Sequence, residues 1–183
     1  MSTLLIVIVI LIVLAVFIVG IYNALVRKRN MVKDQWAQID VLLKRRADLV
    51  PNLVETVKGY ASHEKETFQN ITEARAKVVG APNPEAELKA NGELTQALGR
   101  LMLVVENYPE LKANQNFLDL QSNLRETEDK IAYARQFYND AVLVYKNKIE
   151  MFPSNIAASI FGFKPEPFFE ASEQEKETPQ VKF

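Results

Sequence analysis

The sequence predicts an all-α protein with one membrane-crossing helix at its amino terminus, and three observations carry the prediction. Leu4 to Tyr22 is a run of nineteen residues without a charged side chain. In the body that follows, apolar residues recur every three or four positions. No stretch alternates with period two for long enough to make a strand. The expected architecture is an anchor (1–26), a bent up-and-down antiparallel helical bundle (27–163) and a disordered, acidic, proline-containing tail (164–183). The bundle is expected to hold three long helices, or four segments if Pro51 breaks the first.

The anchor comes first. At 1.5 Å per residue its apolar run spans roughly 28 Å, close to the hydrocarbon thickness of a bilayer. A cleaved signal peptide would place a cation before its apolar core and small residues at a cleavage site. Here Met1, Ser2 and Thr3 precede the run, and Ile18, Val19 and Gly20 make no such site. A retained anchor is the better reading. Arg27, Lys28, Arg29, Lys33, Lys44, Arg45 and Arg46 all lie on its carboxyl-terminal side. The positive-inside rule then puts the amino terminus outside and the body in the cytoplasm.

The first body helix carries the stripe Val32, Trp36, Ile39, Leu43, Val50, Leu53, Val57 and Tyr60. Asn23 to Lys33 contains no breaker, so this helix should be continuous with the anchor. Pro51 should bend it rather than reverse it, because no Gly or Asn stands nearby to make a tight turn and the stripe resumes in register. Helix is expected through Glu64 to about Val79, where Gly80-Ala81-Pro82-Asn83-Pro84 ends it. Glu85 to Glu106 follows, with Leu94, Leu98, Leu101 and Val105 inside. After Asn107-Tyr108-Pro109 comes the clearest helix, whose stripe runs from Phe117 through Leu120, Leu124, Thr127, Ile131, Ala134, Tyr138, Ala141, Tyr145 and Ile149 to Phe152. Pro153 stops it, and Ser154 to Phe161 suits a short helix capped by Gly162.

Composition narrows the function. Twenty-two basic against twenty-three acidic residues leave a net charge of −1, so nucleic-acid binding has no electrostatic footprint. The absence of cysteine removes disulfides, thiolate metal sites, cysteine nucleophiles and lipoprotein processing. Six glycines in 183 residues suit helices better than phosphate-cradling loops.

The one histidine, His63, has Tyr60 three residues before it, so the Glu-x-x-His of a di-metal bundle is absent. His63-Glu64-Lys65-Glu66-Thr67 starts like a zinc-protease motif but carries Thr67 at the second ligand position. Glu85 with Glu87, and Glu126 with Glu128, read as solvated helix faces, with nothing to raise a pKa as a general acid needs. No G-x-S-x-G elbow is present. The expectation is therefore no catalytic residue, no cofactor and no metal ligand.

Two clusters have competing readings. Lys44-Arg45-Arg46 is either a basic patch for anionic lipid or a partner, or a helix face on which Arg45 meets solvent and Arg46 pairs with a carboxylate. The second is favoured, with Asp40 and Asp48 nearby. Arg46 falls between Leu43 and Val50 on the stripe, so its guanidinium should be buried and needs an acceptor. Glu128 or Glu126, beside Thr127, could supply one across the bundle. The aromatics Tyr133, Phe137, Tyr138 and Tyr145 read as core rather than as a binding surface.

Taken together, several blocks resemble the LemA family. They are Tyr22-Asn23-Ala24-Leu25-Val26, Leu43-Lys44-Arg45-Arg46, Asp48-Leu49-Val50-Pro51-Asn52-Leu53-Val54, Thr56 to Ala61 and His63-Glu64. Glu106-Asn107-Tyr108-Pro109, Asn116-Phe117, Tyr138-Asn139, Phe152-Pro153 and Phe161-Gly162-Phe163 agree. Leu42 and Lys146 depart from the usual Gln and Asn without touching a known site. The resemblance implies a single-pass bacterial inner-membrane protein with a helical-bundle body and no settled activity. The family's magnetosome-membrane members and its frequent gene company with a membrane metalloprotease of the HtpX type both point to a scaffold or adaptor. The expected partners are the membrane, further copies of the chain and a membrane protein such as a protease. The leading expectation is a self-associating, non-enzymatic membrane scaffold; the alternative is an adaptor of such a protease.

Overall fold

The computed structural model describes residues 2–169 and contains, among them, six helices and no strand. They are α1 (Ser2–Lys58), α2 (Lys65–Val79), α3 (Pro84–Val105), α4 (Pro109–Lys112), α5 (Gln115–Glu150) and α6 (Ser154–Ile160). Contacts divide the described chain into two compact units. One holds residues 2–38 and 134–169, and the other holds Ile39–Tyr133. Both α1 and α5 contribute to each.

As expected from the absence of a breaker, α1 is one helix from the apolar run into the body, and it passes through Pro51. Its amino-terminal stretch is long and apolar enough to cross a membrane, and none of that stretch is buried. Pro51 removes the N–H that would bond the carbonyl of Ala47. That carbonyl instead accepts a hydrogen bond from Arg75 Nε of α2 at 2.8 Å. A side chain thus replaces the missing backbone donor, and the helix persists.

The break comes later, and here the expected continuous helix to Val79 is corrected. α1 ends at Lys58, directly before Gly59. The N–H groups of Tyr60 and Ala61 both bond the carbonyl of Val57, and Glu64 N–H bonds that of Ala61. Tyr60, assigned to the stripe, is exposed in this turn, and its hydroxyl accepts from Asn114 Nδ2 at 3.0 Å. Ala61 is the residue buried in its place.

The Ile39–Tyr133 unit contains the main core. Val50, Leu53 and Val57 of α1 pack with Phe68 and Ile71 of α2, Leu94 and Leu101 of α3, Leu111 of α4, and Phe117 and Leu124 of α5. α2 and α3 form an antiparallel hairpin: Lys77 near the end of one reaches Glu93 of the other, while Asn70 shares a groove with Arg100. The Asn83 side chain caps α3 by accepting from Ala86 N–H, with Pro84 in the first turn. Asn114 likewise accepts from Phe117 N–H at the start of α5.

In the other unit, the α5 stripe buries Ala134, Tyr138, Ala141 and Tyr145 as read from the sequence. Phe152 does not follow them. α5 ends at Glu150, and Phe152 is 78% exposed. α6 forms where expected. Gly162 has φ +71°, and the bonds from Gly162 N–H to Ser159 and Phe163 N–H to Ala158 close the helix in a Schellman turn.

The expected tail opens with an ordered strap. Tyr145 Oη donates to the Lys164 carbonyl at 2.9 Å and Tyr138 Oη to the Pro167 carbonyl at 2.9 Å. Asn139 makes paired bonds with the backbone of Phe169, over whose ring the Arg135 guanidinium lies at 4.1 Å. Residues 164–169 therefore run along α5 in the opposite direction. The remainder of the expected disordered tail lies outside the described residues.

Candidate functional site

Arg46 is the largest fully enclosed side chain and the centre of the polar chemistry in the Ile39–Tyr133 unit. Its Nη2 pairs with Glu128 of α5. Its Nη1 donates to Asn91 Oδ1 at 2.7 Å and to Thr95 Oγ1 at 3.0 Å, both on α3. One guanidinium thus joins three helices, its planar set of donors reaching acceptors on α3 and α5 at once. Nε alone is buried without a partner. Burial pulls the arginine pKa below its ordinary value and Glu128 pushes it back; a guanidinium stays protonated through this contest.

The carboxylate expected for Arg46 is therefore Glu128. Glu126 instead pairs with Lys130, one turn away on the exposed face. The neighbouring cations divide as the second reading of Lys44-Arg45-Arg46 has it: Lys44 pairs with Asp40 at 2.7 Å, and Arg45 is exposed. Asp48 lies 3.8 Å from Arg75, not on Arg46.

Glu87 is a correction. The sequence reading placed it on a solvated face, yet it is buried, and its pKa is raised to about 7. Desolvation is the main cause, followed by hydrogen bonding and charge repulsion from Asp40, with Lys44 opposing. Glu87 Oε1 has no hydrogen-bond donor. The signal was present: Glu87 stands three residues before Ala90 and seven before Leu94, on the buried face of α3.

Tyr138 and Tyr145 are buried, with phenol pKa values raised by desolvation, so both remain donors to the strap. Tyr133 and Phe137 are exposed, which corrects their assignment to the core. The stripe takes positions 134, 138 and 141, and the two aromatics fall outside it. His63 is exposed in the turn after α1.

Two shallow pockets open on the Ile39–Tyr133 unit. One of about 180 Å³ lies between α2 and α3, where Lys77 and Glu93 pair at 2.6 Å. Each shifts the other in the expected sense, lysine up and glutamate down. The second, of about 250 Å³, is lined by Met102, Val105, Phe117 and Leu118, with Lys112 paired to Glu106 at its edge. Neither gathers a nucleophile, a base and an oxyanion donor. Among the described residues no group of three or more His, Asp or Glu side chains is placed to hold a metal ion.

Residues 35–183 match the model of the LemA family. Magnetosome proteins MamQ 1 and MamQ 2 of Paramagnetospirillum magneticum are each 31% identical over 175 residues. Those alignments take in 81% of this chain and 64% of each relative, so the chain spans less than two thirds of their length. Protein LemA of Metamycoplasma hominis is 30% identical over 162 residues, covering 86% of this chain and 73% of that protein. A match over most of the chain, on an all-helical body whose buried stripes are those of the matched region, places it: the chain belongs to the LemA family.

Proposed function

We propose that this chain is a non-enzymatic scaffold, held in a bacterial inner membrane by the start of α1, that self-associates and organises membrane or envelope components. The amino terminus lies outside and the body in the cytoplasm, following the cations that begin at Arg27. The observation that carries the reading is α1 itself. An uncharged run, unburied over its membrane-length window, continues without interruption into a helix whose later residues build a packed core. The anchor thus runs on into the body as continuous helix, without a flexible linker between them.

Size-exclusion chromatography with light scattering, on the full chain in detergent, tests self-association. A defined oligomer at micromolar protein is expected. A clean monomer would count against the scaffold.

A further inference from the structure

α6 is built inside out for a helix facing water. Its small residues Ser154, Ala157 and Ala158 are buried, whereas its large ones, Ile156 and Ile160, are 53% and 72% exposed. Ile156 and Ile160 are four apart and share one face. Phe152 before the helix and Phe161 after it are exposed as well.

The buried side of α6 shows where this apolar face sits. Ala157 and Ala158 pack on Leu25 of α1, with Ile21 and Phe163 alongside. The Tyr22 ring meets Phe161 and Phe163 edge-on, with centroids 5.0 and 5.6 Å apart. Tyr22 stands near the end of the uncharged stretch, which closes at Val26 before Arg27, the first cation. Arg29, two residues on, lies over the Phe163 ring at 5.1 Å. With α1 read as a membrane anchor, the contact of α6 with Tyr22, Leu25 and Arg29 falls where acyl chains give way to headgroups. A bilayer surrounding α1 at that depth meets the side of α6 turned away from it. Tyrosine and phenylalanine beside a short apolar face, with lysine and arginine just beyond, is the composition of an element lying in the bilayer interface.

We propose that α6 with Phe152 and Phe161 forms a second membrane contact, a foot seated in the headgroup–acyl boundary. It fixes how far α1 enters the bilayer and how that part of the chain stands on the surface. This rests on the reading of α1 as a membrane anchor.

The absence of native cysteine allows a direct test. Ile160→Cys, Ile156→Cys and Ile10→Cys are made separately in the full chain, labelled with an environment-sensitive fluorophore and reconstituted into phosphatidylcholine–phosphatidylglycerol vesicles. Nitroxide lipids probe lipid contact and iodide probes water. The expected result is blue-shifted emission at 156 and 160, quenched by shallow nitroxide lipids and protected from iodide, with quenching at 10 by deep nitroxides. Open access of iodide to 156 and 160, with 10 still quenched by lipid, overturns the foot and leaves the anchor standing. Protection from both quenchers at 156 and 160 means that protein, such as a second copy, covers α6, and this also overturns it. Failure of lipid to quench position 10 defeats the anchor and the foot together.

Discussion

Arg46 shows why a charge out of place in an apolar stripe is informative. Its position between Leu43 and Val50 predicts burial and an acceptor, and it is 2% exposed and paired with Glu128. Arg46 is enclosed while Glu128 stays 44% exposed, so losing the guanidinium forfeits its hydrogen bonds and packing at about 1–3 kcal/mol, whereas an exposed arginine contributes about 0–1. Arg46→Ala is therefore expected to lower the melting temperature of the full chain far more than Arg45→Ala; equal melts would mean that the three-helix junction contributes little. Asn91 and Thr95 could not be read beforehand, because they depend on the cross-helix register of α3. Glu87 is legible from its spacing on the buried face of α3, but a glutamate among many charged neighbours reads as a solvated one. Because its pKa in the folded chain is raised from 4.5 to about 7, the folded state holds the proton more tightly than the unfolded one. Stability should then be greatest below about pH 4.5 as far as this group is concerned, and fall as the pH rises to about 7, by on the order of 3 kcal/mol at most. Denaturant titrations at pH 5 and 8 should show this fall, and Glu87→Gln should flatten it. An unchanged slope in the variant would assign the pH dependence elsewhere.

Among the helices, periodicity located α3, α5 and α6 well because their stripes are long or their ends are marked by Pro and Gly. It failed between Lys58 and Lys65, where the apolar spacing runs on although the helix does not. Gly59 was the stop signal, and Tyr60 concealed it by occupying a stripe position. The ordered strap was hidden for the opposite reason. Pro165 and Pro167 read as disorder, yet tyrosine hydroxyls from α5 satisfy the strap's carbonyls. Pro51 offers the sharpest test of helix-level reasoning. Arg75→Ala leaves the Ala47 carbonyl without its donor and should cost about 1–3 kcal/mol. In a Pro51→Ala background the restored N–H can take that carbonyl, so Arg75→Ala should cost distinctly less. A double-mutant cycle by chemical denaturation measures the coupling. Strict additivity would show that Arg75 does not compensate for the proline.

For the chain as a whole, the fold class was readable because an uncharged run and long helical stripes leave few alternatives, and the family was readable from its resembling blocks, such as Asp48-Leu49-Val50-Pro51-Asn52-Leu53-Val54. Function was less readable. Constellations that would announce an enzyme depend on a few residues converging, and the described side chains instead pair off into structural contacts such as Arg46–Glu128 and Lys77–Glu93. Outward, the described residues present a long apolar stretch of α1 and exposed apolar side chains on the helices, and the proposed scaffold reading rests on these. The central claim, a self-associating membrane scaffold, is tested most directly by crosslinking the full chain in native membranes and identifying what it captures. The account predicts ladders of its own copies. Recovery of the monomer alone, or stoichiometric capture of a membrane metalloprotease in place of a second copy, would contradict it.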